Sequence, residues 1–342
     1  MKALPVASAL AAAALFGAST PAAKTLAGDI HPILLAGLLY AGSGLGLGLF
    51  LVLRGKWVRL PRADWPWLAG AIASGGVLGP VLLMVGLAAT SAASASLLLN
   101  LEGVFTALVA WFAFRENFDA RIALGMALIV AGGALLALEP GALGGGAVGG
   151  ACIAGACLAW AIDNNLTRKV SGGDAALVAA LKGGIAGAVN LSIGFAAGAT
   201  WPGLERAALA AGTGMLGYGV SLALFVAALR DLGAARTGAY FSTAPFVGVA
   251  VSLLILGEAP APLFWPALAL MAAGVWLHVS ERHEHEHVHE PMEHEHRHVH
   301  DEHHRHAHEA AWDGAEPHTH SHRHERMVHR HPHYPDLHHR HH

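Results

Sequence analysis

Charged side chains are scarce in residues 1–280, which hold eleven acids and fourteen Lys or Arg. A soluble domain of that length would be about one quarter charged, so a soluble globular fold is excluded. Histidine is nearly missing there as well, with only His31 and His278. The only cysteines, Cys152 and Cys157, stand five apart in one apolar stretch. That spacing excludes both a disulfide framework and a CxxC site, and leaves two small core residues. "GALGGGAVGG" (141–150) lacks the Lys-Ser/Thr of a phosphate-binding loop and reads as a flexible link. With no energy-coupling or catalytic motif, neither an enzyme nor a required cofactor is expected. No basic surplus points to nucleic acid.

Long apolar runs are abundant, many near the ~20 residues that cross a bilayer as a helix. Ten spans can be read: 3–22, 31–53, 66–88, 93–114, 120–138, 147–167, 175–199, 207–229, 235–256 and 262–280. The expected fold is an all-α integral membrane protein of ten transmembrane helices. Gly44 and Gly48, Gly183 and Gly187, and Gly194 and Gly198 repeat one turn apart, a spacing that lets membrane helices approach closely. Loops after even-numbered spans carry ten Lys or Arg, including Arg59, Arg121, Lys169 and Arg236; the other loops carry only Lys24 and Arg206. The positive-inside rule then places both termini in the cytoplasm of a cell whose inner (plasma) membrane the chain crosses. The first span also has the look of a secretory signal, "MKALPVASALAAAALFGASTPAA". It is expected to be retained, because an internal repeat needs it.

That repeat emerges at an offset of 142. Glu116 falls on Glu258, Leu128 on Leu270, Gly132 on Gly274 and Leu135 on Leu277; at a neighbouring offset Phe16 and Lys24 fall on Trp160 and Arg168. Two five-span halves, 1–140 and 141–280, follow. Because five is odd, the second half inserts upside down, the inverted repeat of many secondary transporters. "LEGVFTALVAWFAFRENFDARIALGMALIVAGGALL" and "AARTGAYFSTAPFVGVAVSLLILGEAPAPLFWPALALMAAGVWL" resemble the EamA-like branch of the drug/metabolite transporter superfamily. The resemblance covers residues 3–280 and implies a ten-helix transporter with a central cavity between halves. It leaves the substrate open. At the position matching Pro245 the first half carries Gly103, so a helix break there is expected to be softer than in the second half.

Ionisable groups at membrane depth face a cavity or a partner. Glu102 lies about eight residues into its span, roughly 12 Å deep at 1.5 Å per residue. A carboxylate there can carry a proton, or simply fix helix packing. Lys182 sits at a similar depth from the other side, free to pair with Glu102 or to snorkel to the interface. Asp163, Asn164 and Asn165 close the sixth span, as a gate or substrate contact or as a capped helix end. Asn100, Tyr218, Thr243 and Pro245 complete the expected substrate and proton pathway, the last two where the ninth helix can loosen. Asn190 reads as a packing hydrogen bond, and Glu116 and Glu258 as structural caps of loop turns.

Residues 281–342 differ in kind, with 23 of the 25 histidines, thirteen acids and seven arginines. This tail is expected to be disordered, being too polar to bury a core. Neutral imidazoles without fixed spacing bind Cu, Ni, Zn or Co with little selectivity. His283, His285, His287, His289, His294, His296, His298 and His300 are the candidate ligands of a divalent metal. The function expected is secondary transport, with export, of a small organic metabolite or drug-like solute. The alternatives are a divalent-metal transporter (Ni, Co, Zn or Cu) fed or regulated by the tail, and a membrane-tethered metal buffer. Expected partners are the lipid bilayer and a small-molecule substrate, with a homodimer left open.

Overall fold

The computed structural model describes residues 3–55, 60–114, 120–138, 146–170, 174–225, 227–228, 237, 240–280, 284–289, 292–298, 318–324 and 327–332. Glu116, His283 and His300 lie outside these. The chain divides into two units, Met1–Ser280 and Glu281–His342.

The first unit is helical where described. Its helices are α1 (Ala3–Ala27), α2 (Pro32–Arg54), α3 (Trp65–Ala71), α4 (Gly79–Ala89), α5 (Ala92–Leu98), α6 (Leu101–Phe114), α7 (Ala120–Ala137), α8 (Gly146–Arg168), α9 (Ala175–Ala196), α10 (Leu204–Gly214), α11 (Ala244–Leu254) and α12 (Phe264–Val279). Each of the ten expected spans overlaps described helix. Among the described residues, seven stretches are long and apolar enough to cross a membrane: 4–27, 32–54, 62–89, 92–109, 120–137, 176–196 and 204–225. Two shorter apolar helices, 244–254 and 264–277, accompany them.

Glycine brings helices together across the repeat. A Cβ on Gly44 of α2 would collide with the backbone nitrogen of Gly184 on α9, and one on Gly183 would sit 2.7 Å from the Gly44 nitrogen. On α7, a Cβ at Gly132 would lie 2.9 Å from the Ala267 carbonyl oxygen; on α12, one at Gly274 would lie 2.6 Å from the Gly125 oxygen. At the offset of 142, α2 matches α9, α7 matches α12 and Gly132 matches Gly274. Each of these helices therefore packs on its own repeat counterpart, as two halves related by an axis through both pairs would require. Gly48 and Gly198 depart from the expected pattern. Neither has an atom within 4 Å of its would-be Cβ, and Gly198 ends a helix at φ +85°.

Among the described residues, four interruptions mark the helical rods, and they occur in matched pairs. A π-helical turn at Ile72–Leu78 joins α3 to α4, and another at Met215–Val220 continues α10. The segment 92–114 breaks at Leu99–Asn100, between α5 and α6, while Ser242–Thr243 precede α11. Both pairs lie about 142 residues apart. The break in the first half sits ahead of Gly103, as its counterpart sits ahead of Pro245. Asn100 makes it without proline, through a 2.8 Å bond from its Nδ2 to the Leu97 carbonyl. In the second half Pro245 stands in the first turn of α11, where its missing N–H costs nothing.

The turn between α4 and α5 is held from two sides. The Lys24 ammonium donates to the Leu87 and Thr90 carbonyls at 2.6 and 2.7 Å. Both Glu258 carboxylate oxygens accept from the α5 amides of Ala92 and Ala93, at 2.8 and 2.7 Å. Each charge has the sign that its helix end favours. Glu258 is structural, as expected, but it caps a helix 165 residues away rather than its own turn.

The second unit contains strands where disorder was expected. β1 (Glu284–His289) pairs antiparallel with β4 (Met327–Pro332), and β2 (Met292–His298) with β3 (His318–His324). Strict alternation of histidine with other residues has the two-residue period of a strand. The registers set His285 opposite His331, His287 opposite His329 and His296 opposite His320.

The glycine contacts separate two substitutions on one helix. Gly44→Ala should destabilise the protein by at least the 1–3 kcal/mol usual for overpacking, since backbone rather than a side chain must move. Gly48→Ala should be neutral or gain about 0.5–1 kcal/mol of helix propensity. Thermal unfolding of the two purified variants in detergent checks this; equal melting temperatures would contradict the α2–α9 packing.

Candidate functional site

The polar residues of the membrane interior gather where α2, α6, α8 and α9 meet the first π turn. Lys182 on α9 does not pair with Glu102. Its ammonium lies 2.6 and 2.7 Å from the two Asp163 oxygens and 3.3 Å from the Thr167 hydroxyl, which itself donates to Asp163 at 2.8 Å. Asp163 and Thr167 are one turn apart on α8 and so present a joint acceptor surface to α9. The pair is mostly shielded, with side-chain exposures of 18% for Lys182 and 7% for Asp163.

Glu102, in the first turn of α6, instead accepts a 2.9 Å bond from the Asn164 amide, which also approaches the Thr106 hydroxyl at 3.4 Å. Three consecutive residues of α8 therefore tie it to both α9 and α6. Asp163 binds α9, Asn164 binds α6, and Asn165 donates to the carbonyls of Ala161 and Thr106 at 2.8 and 3.3 Å. The sequence offered a gate or a capped helix end; the structure gives a helix–helix junction with one open member.

Asn164 is that member. Along α8 the exposed residues Ala151, Leu158 and Ile162 follow spacings of seven and four, one apolar face. Asn164 is also exposed, while Asp163 and Asn165 on either side are buried. Two residues beyond Ile162 is about 200° of helical rotation. Asn164 is thus turned away from that apolar face, with the Glu102 carboxylate as its partner.

The π turn packs against this junction. Widening a helix by one residue frees carbonyls, and here side chains take them up. Gly75 O accepts 2.9 Å bonds from both the Tyr40 hydroxyl and the Trp160 indole N–H, and Gly76 O accepts from Asn190 at 3.0 Å. A Cβ on Gly75 would collide with Asp163. At the matched site of the second half, a Cβ on Gly217 would lie close to the Ser19 side chain. Tyr218 packs its ring between Phe16 and Tyr40, with centroids at 5.8 and 5.5 Å. Asn100 is buried in sealing its own helix break, and exposed Thr243 bonds the Tyr240 carbonyl at 2.6 Å, so neither leaves its carbonyl open. Cys157, a core residue as expected, points its thiol at the Leu98 carbonyl, 3.7 Å away, beside the α5–α6 break.

Tyr40, Thr106, Trp160 and Thr167 escaped the sequence reading. Two signals pointed to them: Thr106 and Thr167 stand four residues from Glu102 and Asp163, and the offset of 142 lays Tyr40 on Lys182.

With paired half-helices around a buried polar centre, the arrangement is that of a transporter, and comparison with known proteins agrees. The profile of the EamA-like transporter family matches residues 3–138 and again residues 148–280. The chain belongs to the EamA-like transporter family. An uncharacterized transporter of Methanothermobacter thermautotrophicus is 27% identical over 272 residues, 73% of this chain and 78% of that protein. A probable 4-amino-4-deoxy-L-arabinose-phosphoundecaprenol flippase subunit ArnE of Pseudomonas paraeruginosa is 40% identical over 89 residues, 26% of this chain and 75% of that subunit. A solved crystal structure shares the fold, with a TM-score of 0.59, 19% identity, and coverage of 80% of this chain and 98% of its own.

The Asp163–Lys182 pair yields a double-mutant test. Lys182→Met should destabilise the protein by about 3–5 kcal/mol, because it strands a buried carboxylate. Adding Asp163→Leu should restore most of the loss by removing the stranded charge. Thermal unfolding in detergent measures both; additive losses would show that the two side chains do not act as a pair.

Proposed function

We propose that this EamA-like transporter is a proton-coupled secondary exporter of a small organic solute, crossing the inner membrane ten times with both termini in the cytoplasm. The observation that carries this reading is Glu102. It is a carboxylate in a membrane-spanning helix whose hydrogen-bond partner is the neutral amide of Asn164, an exposed residue turned away from the apolar face of α8. Lys182 is already engaged by Asp163, so Glu102 is the group free to exchange a proton. Asp163 and Lys182 hold α8 to α9 beside it.

The ten-span reading is supported by the overlap of every expected span with described helix, and the orientation by the ten-to-two distribution of Lys and Arg. An organic substrate is supported by the match to flippase subunits whose named cargo is an aminosugar lipid. The metal-transport alternative finds no comparable support, since among the described residues no three of His, Cys, Asp and Glu gather at a site. The histidine tail is read as an accessory that binds divalent metal and modulates the helical unit.

Glu102→Gln keeps shape and hydrogen bonding but cannot titrate. In vesicles, with a solute identified by screening, the variant should lose transport driven by a pH gradient and retain solute exchange, which needs no net proton movement. Unchanged dependence on the gradient in a folded variant would reduce Glu102 to a packing residue.

A further inference from the structure

An open apolar groove of about 420 Å³ runs between α9 on one side and α3 with the first π turn on the other. Trp65, Ala69, Ala73 and Val77 recur every four residues along one wall, and Ile185 and Val189 stand one turn apart on the other. Ala69 and Ala73 are exposed at positions where larger side chains would fill the trough. Behind it the helices touch, and a Cβ on Gly76 would sit 2.7 Å from the Ala186 Cβ. All the lining residues are apolar, so in a membrane-spanning unit the groove favours acyl chains over water.

Its length fits one leaflet. Trp65 to Val77 is twelve residues, about 18 Å at 1.5 Å per residue, and half of a ~30 Å hydrocarbon core is about 15 Å. Its mouth has the marks of the headgroup level, where tryptophan gathers: Trp65 and Trp67 are each 43% exposed. One turn before Trp65 stands Arg62, in the 3-10 turn Arg62–Asp64, and its carbonyl accepts the Trp65 amide. Arg62 is exposed and has no ion-pair partner among the described residues, unlike Arg54, which lies 3.7 Å from Asp174. A guanidinium at this level attracts a phosphate whose charge no other headgroup cation cancels.

We infer that the groove holds an acyl chain of an anionic phospholipid, whose phosphate meets Arg62 at the mouth. The chain lies along the outer side of the π turn. Gly75 of that turn packs on Asp163, so the bound lipid braces the turn that supports the Asp163–Lys182 pair. The inference goes beyond the transport reading and holds for either orientation of the protein in the membrane.

The test is native mass spectrometry of the full-length protein in detergent, titrated with three probes. These are dioleoyl phosphatidylglycerol, dioleoyl phosphatidylcholine and dihexanoyl phosphatidylglycerol. The long-chain anionic lipid should be retained roughly fivefold more tightly than the other two, since one lacks the net charge and the other the chain. Arg62→Gln should bring it down to the level of the phosphatidylcholine. Ala73→Phe, and separately Ala69→Phe, fill the trough from exposed positions and should weaken both long-chain lipids several-fold. Ala151→Phe, on the exposed apolar face of α8, should not. Equal retention of the two long-chain lipids would overturn the inference. So would retention of dioleoyl phosphatidylglycerol that is unchanged by Arg62→Gln, or unchanged by both groove substitutions.

Discussion

No water reaches the core of a bilayer to satisfy a free N–H or C=O, so every departure from the helix must be repaired from within the protein or line a wet cavity. This constraint organises the transporter. Among the described residues four interruptions occur; side chains from neighbouring helices answer the carbonyls of the first π turn, and local side chains answer those at the two breaks. Tyr40, Trp160 and Asn190 serve the first π turn, Asn100 seals the α5–α6 break, and Thr243 turns back on Tyr240 ahead of α11. Helices tied to one another through such repairs cannot slide independently. The π turns and the breaks recur in both halves, so each half has the same two points at which its rods change direction.

Those repairs also place the charges. Gly75 leaves no room for a Cβ because Asp163 occupies the space, so the π turn and the α8–α9 ion pair are one packed unit. Bringing a full ion pair to this depth has a large desolvation cost, which the twofold contact of Lys182 with Asp163 and the Thr167 bond offset. One residue further along α8, Asn164 meets Glu102 with no cation between them. The closed pair fixes geometry; the open carboxylate can change its charge. The closed pair on α8 and α9 and the open carboxylate on α6 meet through consecutive residues of α8.

Much of the fold was legible in the sequence. The near absence of charge announced the membrane, and the offset of 142 located both halves, including the Gly132–Gly274 correspondence that the packing of α7 on α12 uses. Glu102, Asp163 and Lys182 were visible because ionisable residues in apolar runs are rare. Their pairing was not, since depth along a helix says nothing of rotation about it, and Lys182 found Asp163 on the adjoining helix instead of Glu102 at its own height. Tyr40 and Trp160 were hidden because aromatic residues in membrane helices are ordinary until a π turn gives them a carbonyl to bind. The break at Leu99–Asn100 had no proline to announce it; there an asparagine side chain competes for the backbone instead. In the tail, polarity argued for disorder, yet the same alternation of histidine with other residues satisfies the period of a strand.

The central claim is that the face of α8 bearing Asn164 opens onto water in the middle of the membrane, while the face bearing Ile162 meets lipid. Cysteine accessibility tests it most directly. In a background with Cys152 and Cys157 replaced by alanine, Asn164→Cys and Ile162→Cys would each be exposed in vesicles to a charged, membrane-impermeant thiol reagent. Labelling at 164 with protection at 162 is the expected result. Protection at both positions, or faster labelling at 162, would contradict that opening and with it the role given to Glu102.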